Sequence, residues 1–599
     1  MKFFDGLVAG IAAAGVLSMG LAATAAPITP ERLKNSANEP QNWLMSLGSY
    51  NGWHYSSLSQ INKSNVSGLT VKFMASIGGS ATCVPPARCR GNEQSGPLAE
   101  DGFVYVTDSH NKIMKFDVRS GSRAFPLWRH DPQTERTSNS GGIAFYQNTV
   151  IQAIQDARII AIDKDSGEVV WEVSGIEPSG GRNDDMYLPT RKFRGAVSTM
   201  QTAMGQDTII VGAGGAGVGW VGAFDANNGE NLWRTYTIPG PGEPNFGTWP
   251  GEKYQYGAAM PWGPSTFDPE SNTIFIGVGE PSPVYDPEFR PGDNLYASST
   301  LALDADTGEM KWFFQETPND GWDFDSTGTR MLFNVPGPNG ETRQAVSSWS
   351  RNGFTYVLDR NSGSFINGFA QVDNINWTLG LDPKSGLPIE YEAGQVVQNY
   401  NVHSPRRGRS AEDAPLVCAT WGGGPTGIWP PSYDPTRHVT YNTRTSGCTY
   451  QTILRITEEE FDPLRRERLG GATQQIQVNT MANLIAIDVQ GGGVVNTYTR
   501  DLGIPGTRQA EVGALATGGG IVFSGFDDGT FGAWDSDTLA QLWQFNTGTS
   551  MKGDPISYTT GGKQYIAIIA GGDNPGTAAR GGGISSLIMP TAVLLVFGL

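Results

Sequence analysis

The sequence predicts an all-β fold assembled from repeated small sheets, and three observations predict it. Glycine supplies 79 of 599 residues, about twice its usual share of roughly 7%, and points to many turns. Aromatic residues make up 10% of the chain, with 16 tryptophans, which is ample material for a core. A motif also recurs along the chain: a small residue, an apolar one, Asp, a few polar residues, Gly and then Trp. Charged residues are only 17%, below the usual ~25%. A disordered chain, a coiled coil and a collagen-like fibre are excluded.

The motif is clearest at Ala161-Ile162-Asp163…Gly167…Trp171, Ala223-Phe224-Asp225…Gly229…Trp233 and Ala302-Leu303-Asp304…Gly308…Trp312. Looser copies stand at Lys115-Phe116-Asp117…Gly121…Trp128, Val357-Leu358-Asp359…Gly363, Ala486-Ile487-Asp488 and Ala533-Trp534-Asp535…Trp543. Short apolar runs such as TIIVGA, NTIFIGVG and GIVFSGF flank them and read as strands. Asp and Gly make the turn between two strands, and Trp packs the next strand onto the neighbouring unit. Seven copies recur at intervals of roughly 45–80 residues, with one double-length gap between Asp359 and Asp488. About eight units follow, and this period with several strands per unit means an eight-bladed β-propeller.

Net charge is −17 with five histidines, and no basic cluster offers a nucleic-acid surface. Residues 1–25 read as a secretory signal peptide. An apolar stretch runs from Leu7 to Ala22, and Ala23-Thr24-Ala25 has the shape of a cleavage site. The expected mature chain, 26–599, is one propeller domain without a membrane-spanning segment. The apolar tail from Leu587 is broken by Pro590 and reads as a closing strand. Export makes the four cysteines, Cys83, Cys89, Cys418 and Cys448, candidates for two disulfides. A Cys418–Cys448 bridge would close a loop of about thirty residues, worth roughly 3–4 kcal/mol on the chain-entropy model. Cys-x-x-Cys-His is absent, so no c-type haem attaches to this chain.

The repeat, with SLGSYNGWHYSSLSQINKSNVSGL near the mature start, resembles the periplasmic pyrroloquinoline quinone (PQQ)-dependent alcohol and methanol dehydrogenases. The blocks GPLAEDGFVYVTD, FRPGDNLYASSTLALDADTGEMKW, ETPNDGWDFD, RNGFTYVLDR and VGALATGGGIVFSGFDDGTFGAWD carry the likeness in order. The resemblance implies an eight-bladed propeller whose axial pit holds PQQ and one metal ion. It also implies oxidation of an alcohol to an aldehyde or ketone, and a separate soluble c-type cytochrome as electron acceptor. A homodimer is compatible with it. Cys418 and Cys448 match a disulfide position of methanol dehydrogenases.

Residue by residue, the resemblance makes Asp323 of Trp322-Asp323-Phe324-Asp325 the general base and a metal ligand. Alcohol oxidation needs a group to take the O–H proton while hydride leaves carbon. Asp325 resembles the extra carboxylate of lanthanide-using members, which favours a lanthanide slightly over Ca²⁺. Trp262 matches the tryptophan on which PQQ stacks, and Arg351 the cation beside the quinone oxygens. Gln94 stands where the family has a glutamate that hydrogen-bonds PQQ.

Three departures accompany these matches. The adjacent cysteines and nearby arginine of the family are replaced by the stretch Thr137-Ser138-Asn139-Ser140-Gly141-Gly142. Arg194 replaces a family threonine and is expected to pair with a PQQ carboxylate in place of the missing arginine. The metal-binding glutamate of the family is Gly217 here, while Glu280 replaces a family asparagine. The expected metal set is therefore Glu280, Asp323 and Asp325. The competing reading is a degenerate, non-catalytic propeller acting as a binding or assembly scaffold.

Overall fold

A computed structural model describes residues 26–78, 95–108, 110–134, 142–175, 192–193, 196–214, 217–337, 339–402, 415–418, 429–455, 471–503 and 510–571, together with 592–599. The leader 1–25, Gln94, Arg194, the Cys83–Cys89 pair and the stretch 137–141 lie outside the described residues.

The strands form eight sheets of four or five strands each among the described residues. In most of them consecutive strands pair antiparallel with their sequence neighbours, the short-range connection that tight turns permit. The fourth sheet shows the plan: Thr266–Asp268, Thr273–Gly277, Ser299–Asp304 and Met310–Gln315 pair in that order. An inner strand such as Thr273–Gly277 is buried along its length, whereas the outermost strand of a sheet, such as Val169–Ser174, is largely exposed.

The recurring Asp, Gly and Trp do what their chemistry predicts. Asp163 Oδ1 accepts the N–H groups of Asp165 and Ser166 at 3.0 and 2.8 Å, and Asp304 and Asp359 repeat the arrangement. Such side-chain-capped turns need no help from distant residues. The glycine four residues on adopts a left-handed φ, +73° at Gly308, where a side chain would strain the backbone. It also makes room for the tryptophan of the preceding unit. A Cβ at Gly308 would lie 2.4 Å from the Trp233 ring, and Trp233 Nε1 donates to Ala305 O at 3.1 Å. Trp128 reaches Lys164 O and Trp312 reaches Arg360 O in the same way. These contacts pin the first sheet to the second, the third to the fourth and the fourth to the fifth.

The eighth sheet does not come from the double-length gap. That gap is filled by the sixth sheet, whose hairpin Val439–Arg455 and Gly471–Asp488 has unusually long strands, and by the excursion leading to it. The eighth sheet joins both ends of the chain: Thr70–Gly78 pairs antiparallel with Ala592–Gly598, which continues through Lys563–Gly571 to Ile556–Thr560. The apolar tail is thus a closing strand. Residues of this sheet share one apolar core with the first, second and seventh sheets, so packing runs from the last sheet back to the first. Cys418 and Cys448 face each other across the sixth sheet and form a disulfide with Cα atoms 4.2 Å apart.

Candidate active site

Five residues named from sequence come together around the fourth sheet and its crossing to the fifth. Trp262 lies in the segment entering the fourth sheet, and Glu280 follows its strand Thr273–Gly277. Asp323 and Asp325 lie on the crossing from the fourth sheet to the fifth. Arg351 lies in the turn between Thr342–Trp349 and Phe354–Asp359 of the fifth. All five are buried.

The order Trp322-Asp323-Phe324-Asp325 sorts itself by polarity. Trp322 and Phe324 stack at 5.4 Å and pack with Trp377 and Tyr400, which arrive from the excursion after the fifth sheet. With the two rings held in this aromatic cluster, the intervening carboxylates are directed to the site. Asp323 has φ +70°, a conformation that Asp tolerates better than most residues. Trp377 Nε1 donates to Asn352 O at 2.7 Å and ties the cluster to the turn bearing Arg351. Asp320, fully buried, accepts the N–H groups of Trp322 and Phe324, each at 2.9 Å. Burial pushes its carboxyl up to about 7 against those hydrogen bonds.

Carboxylate oxygens of Glu280, Asp323 and Asp325 all lie within 4.8 Å of one another. Asp325 Oδ1 accepts from Trp262 Nε1 at 3.1 Å and from the Glu280 backbone N–H at 3.0 Å. Arg351 Nη1 is 2.6 Å from Asp325 Oδ2 and 3.5 Å from Asp323 Oδ1, and its guanidinium stands 5.7 Å from the Trp262 ring centroid. Burial works to raise the Asp325 carboxyl, but Arg351 and the contacts with Glu280 and Trp262 outweigh it and hold the group below the usual carboxylate value. For Arg351, burial is likewise outweighed, by Asp325, Asp323 and Glu280, and its pKa is raised.

Three buried carboxylates this close repel one another when ionised, and their all-oxygen donor set suits a hard cation. The residues present therefore fit a metal ion. They also fit a flat anionic quinone. Arg351 provides positive charge, and Trp262 provides an aromatic face that no inter-sheet core claims: among the described residues its apolar cluster consists of Met260 and itself. The blade tryptophans Trp312 and Trp534, by contrast, sit in large inter-sheet clusters.

Gly217 neighbours this group through backbone contacts. Its carbonyl accepts from Ala258 N–H at 3.0 Å, and Ala259 N–H donates to Glu280 O at 3.1 Å. The position without a carboxylate and the position that gained one thus lie on adjoining segments.

Several residues that shape the site had no marker in the sequence. Tyr285 Oη donates to Asp323 Oδ2 at 3.2 Å. Arg290, fully buried, donates to Pro283 O, Val284 O, Asn294 Oδ1 and Asp320 O, joining the Glu280 segment to the Asp323 segment. Arg330 anchors the far end of the latter, donating to Ser326 O at 2.6 Å beside buried Glu316. A lone arginine in a loop reads as exposed, and nothing local marks Arg290 or Arg330 as buried.

A family model, the glucose/ethanol/alcohol dehydrogenase β-propeller domain whose cofactor is PQQ, matches residues 43–373 and 471–566. The chain is 31% identical to quinoprotein alcohol dehydrogenase PedH of Pseudomonas putida, over 93% of this chain and 91% of the relative. It is 30% identical to quinoprotein ethanol dehydrogenase of Pseudomonas putida, over 96% and 93%. Among solved structures, quinohemoprotein alcohol dehydrogenase ADHIIG from Pseudomonas putida HK5 superposes with a TM-score of 0.81 at 26% identity, covering 96% of this chain and 83% of that one. A europium-containing methanol dehydrogenase shares the fold, with a TM-score of 0.77 at 24% identity over 95% of this chain and all of that one.

Proposed function

Because the chain belongs to the PQQ-dependent glucose/ethanol/alcohol dehydrogenase family and is an alcohol dehydrogenase of that family, we propose that it oxidises an alcohol at the cluster of Glu280, Asp323 and Asp325. What carries the reading is the convergence of those carboxylates with Trp262 and Arg351 in one buried group. PQQ, when bound, supplies the acceptor for the hydride leaving the carbinol carbon, and the metal ion supplies positive charge that makes it a better acceptor.

The chain's own residues do the rest. Asp323 takes the hydroxyl proton, so that loss of that proton and of hydride converts the carbinol to a carbonyl. Tyr285 and Arg351 hold the Asp323 carboxylate in place. Glu280, Asp323 and Asp325 hold the ion, and Asp325 adds the negative charge that favours a trivalent lanthanide over Ca²⁺. Trp262 forms the floor for the quinone, and Arg351 stabilises its reduced, anionic form. Gln94 and Arg194 complete the cofactor contacts, Arg194 by pairing with a carboxylate. Burial excludes water and strengthens each of these interactions.

We read the eight sheets as eight blades of one domain, exported to the periplasm by the leader 1–25. A separate soluble c-type cytochrome accepts the electrons, and a homodimer is compatible with the chain. No helix among the described residues is long and apolar enough to cross a membrane. Dye-linked alcohol oxidation by the purified protein, given PQQ with Ca²⁺ or La³⁺, tests the reading. Activity with La³⁺ at least equal to that with Ca²⁺ is expected. Activity with neither, across short, long and aromatic alcohols, overturns it.

A further inference from the structure

Behind Arg351 stands a second arginine with an unusual environment. Arg444 lies on the strand Val439–Arg455 of the sixth sheet and is fully buried. Its hydrogen-bond acceptors are neutral: Gln371 Oε1 at 2.7 Å and the backbone carbonyl of Arg351 at 3.3 Å. Its Nε has no partner, and no ion pair involves it among the described residues. Among the described residues, the charged group that acts on it is another cation, Arg351. Burial and that neighbour push Arg444 down to about 9, which still leaves it protonated at neutral pH.

A buried charge without a counter-charge is costly, because solvation is lost and nothing replaces it. A hydrogen-bonding clamp alone does not call for an arginine here. Gln371 is already fixed by donating to Ser350 O, Phe354 O and Thr355 Oγ1, and any neutral donor would satisfy its oxygen. What arginine adds is positive charge, in a low-dielectric interior where charge acts over distance.

We infer that Arg444 is a second cation of the site, set behind Arg351, which raises the affinity for an anionic cofactor and favours its reduced, more negative form. It does not touch the ligand; its field acts across the Arg351 turn. The carboxylates and reduced oxygens of the quinone then supply a counter-charge that no ion pair among the described residues gives Arg444. This inference rests on the proposal that the site takes PQQ.

The test compares two variants that both keep a donor for Gln371 Oε1, Arg444→Lys with the charge and Arg444→Gln without it. PQQ binding to each apoprotein is followed by quenching of tryptophan fluorescence at fixed metal concentration, and the midpoint potential of the loaded protein is measured alongside. Arg444→Gln is expected to bind PQQ at least about tenfold more weakly, with a lower midpoint potential, while its apo form melts no lower than wild type. Arg444→Lys is expected to bind within about threefold of wild type. Equal binding by wild type and Arg444→Gln overturns the inference. So does equal weakening in both variants, which makes Arg444 a clamp. Should Arg444→Gln not fold, Arg444→Lys decides alone, and a tenfold loss there overturns the inference. Failure of the wild-type protein to bind PQQ would instead overturn the cofactor reading itself.

Discussion

Arg351 Nη1 lies 2.6 Å from Asp325 Oδ2 and 3.3 Å from the backbone carbonyl of Asp323. One guanidinium on the fifth sheet thus grips the Asp323-Phe324-Asp325 segment by a side chain and by the main chain. This contact links the cation expected beside the quinone to the carboxylates expected to hold the metal.

Asp323→Asn keeps the shape of the side chain and its reach to Tyr285, but cannot take a proton. The turnover rate of PQQ-loaded protein should fall by roughly 10²–10⁴-fold, the usual contribution of a general base. Dye-linked turnover is measured on protein whose PQQ and metal content match wild type. A fall of less than tenfold assigns the base elsewhere.

Asp325 and Glu280 should separate by metal. Asp325→Ser removes one negative ligand, so the ratio of La³⁺-supported to Ca²⁺-supported activity should fall at least about tenfold, the equivalent of 1.4 kcal/mol. Glu280→Gln should reduce the metal retained by PQQ-reconstituted protein. Metal content equal to wild type would refute Glu280 as the replacement for the ligand missing at Gly217.

Gly279 is held small by the site itself. A Cβ there would lie 2.5 Å from Asp325 Oδ1, 2.9 Å from Met260 O and 3.0 Å from Trp262 Nε1. Gly279→Ala should therefore displace both the stacking tryptophan and the carboxylate, with a loss of about 1–3 kcal/mol in stability. Denaturant unfolding reads the stability, and fluorescence titration reads the loss of PQQ binding. Unchanged PQQ affinity would mean that Trp262 and Asp325 do not have to meet.

His54 gives the stability a pH dependence. Its ring is fully buried, with Nδ1 2.6 Å from Ala514 O, and burial pushes its pKa down to about 4 despite that hydrogen bond. The unfolded chain takes up a proton near pH 6.5 and the folded one does not. This contribution is therefore complete above about pH 6.5 and is lost as pH falls toward 4, amounting to about 3 kcal/mol. In denaturant unfolding at pH 7 and pH 4.5, wild type should lose more stability than His54→Gln. Parallel losses would show that another group carries the dependence.

Repeat chemistry is legible in sequence because it is local. Asp304 caps its own turn, Gly308 takes a φ that needs no partner to predict, and Trp233 follows its turn at a constant offset. The Trp322-Asp323-Phe324-Asp325 block is legible for a related reason: four adjacent residues carry both the chemistry and the alternation that aims it. Trp262, Glu280 and Arg351 needed family resemblance, since nothing local distinguishes a stacking tryptophan from a packing one. Arg290, Arg330 and Arg444 were not legible at all. Each is defined by partners from other segments, and burial of an arginine depends on those partners existing.

By itself, the sequence determined the repeating turn, the number of motif copies and the identity of the chemical groups, because these rest on side-chain and backbone properties acting within a few residues. Only the tertiary structure decided which groups meet. It drew the eighth sheet from both ends of the chain, put Glu280 beside the Asp323 segment, and buried Arg444 behind Arg351 without a carboxylate. Those outcomes depend on which sheets close against which. That is a property of the ring as a whole, in which contacts between residues hundreds of positions apart outweigh local preference.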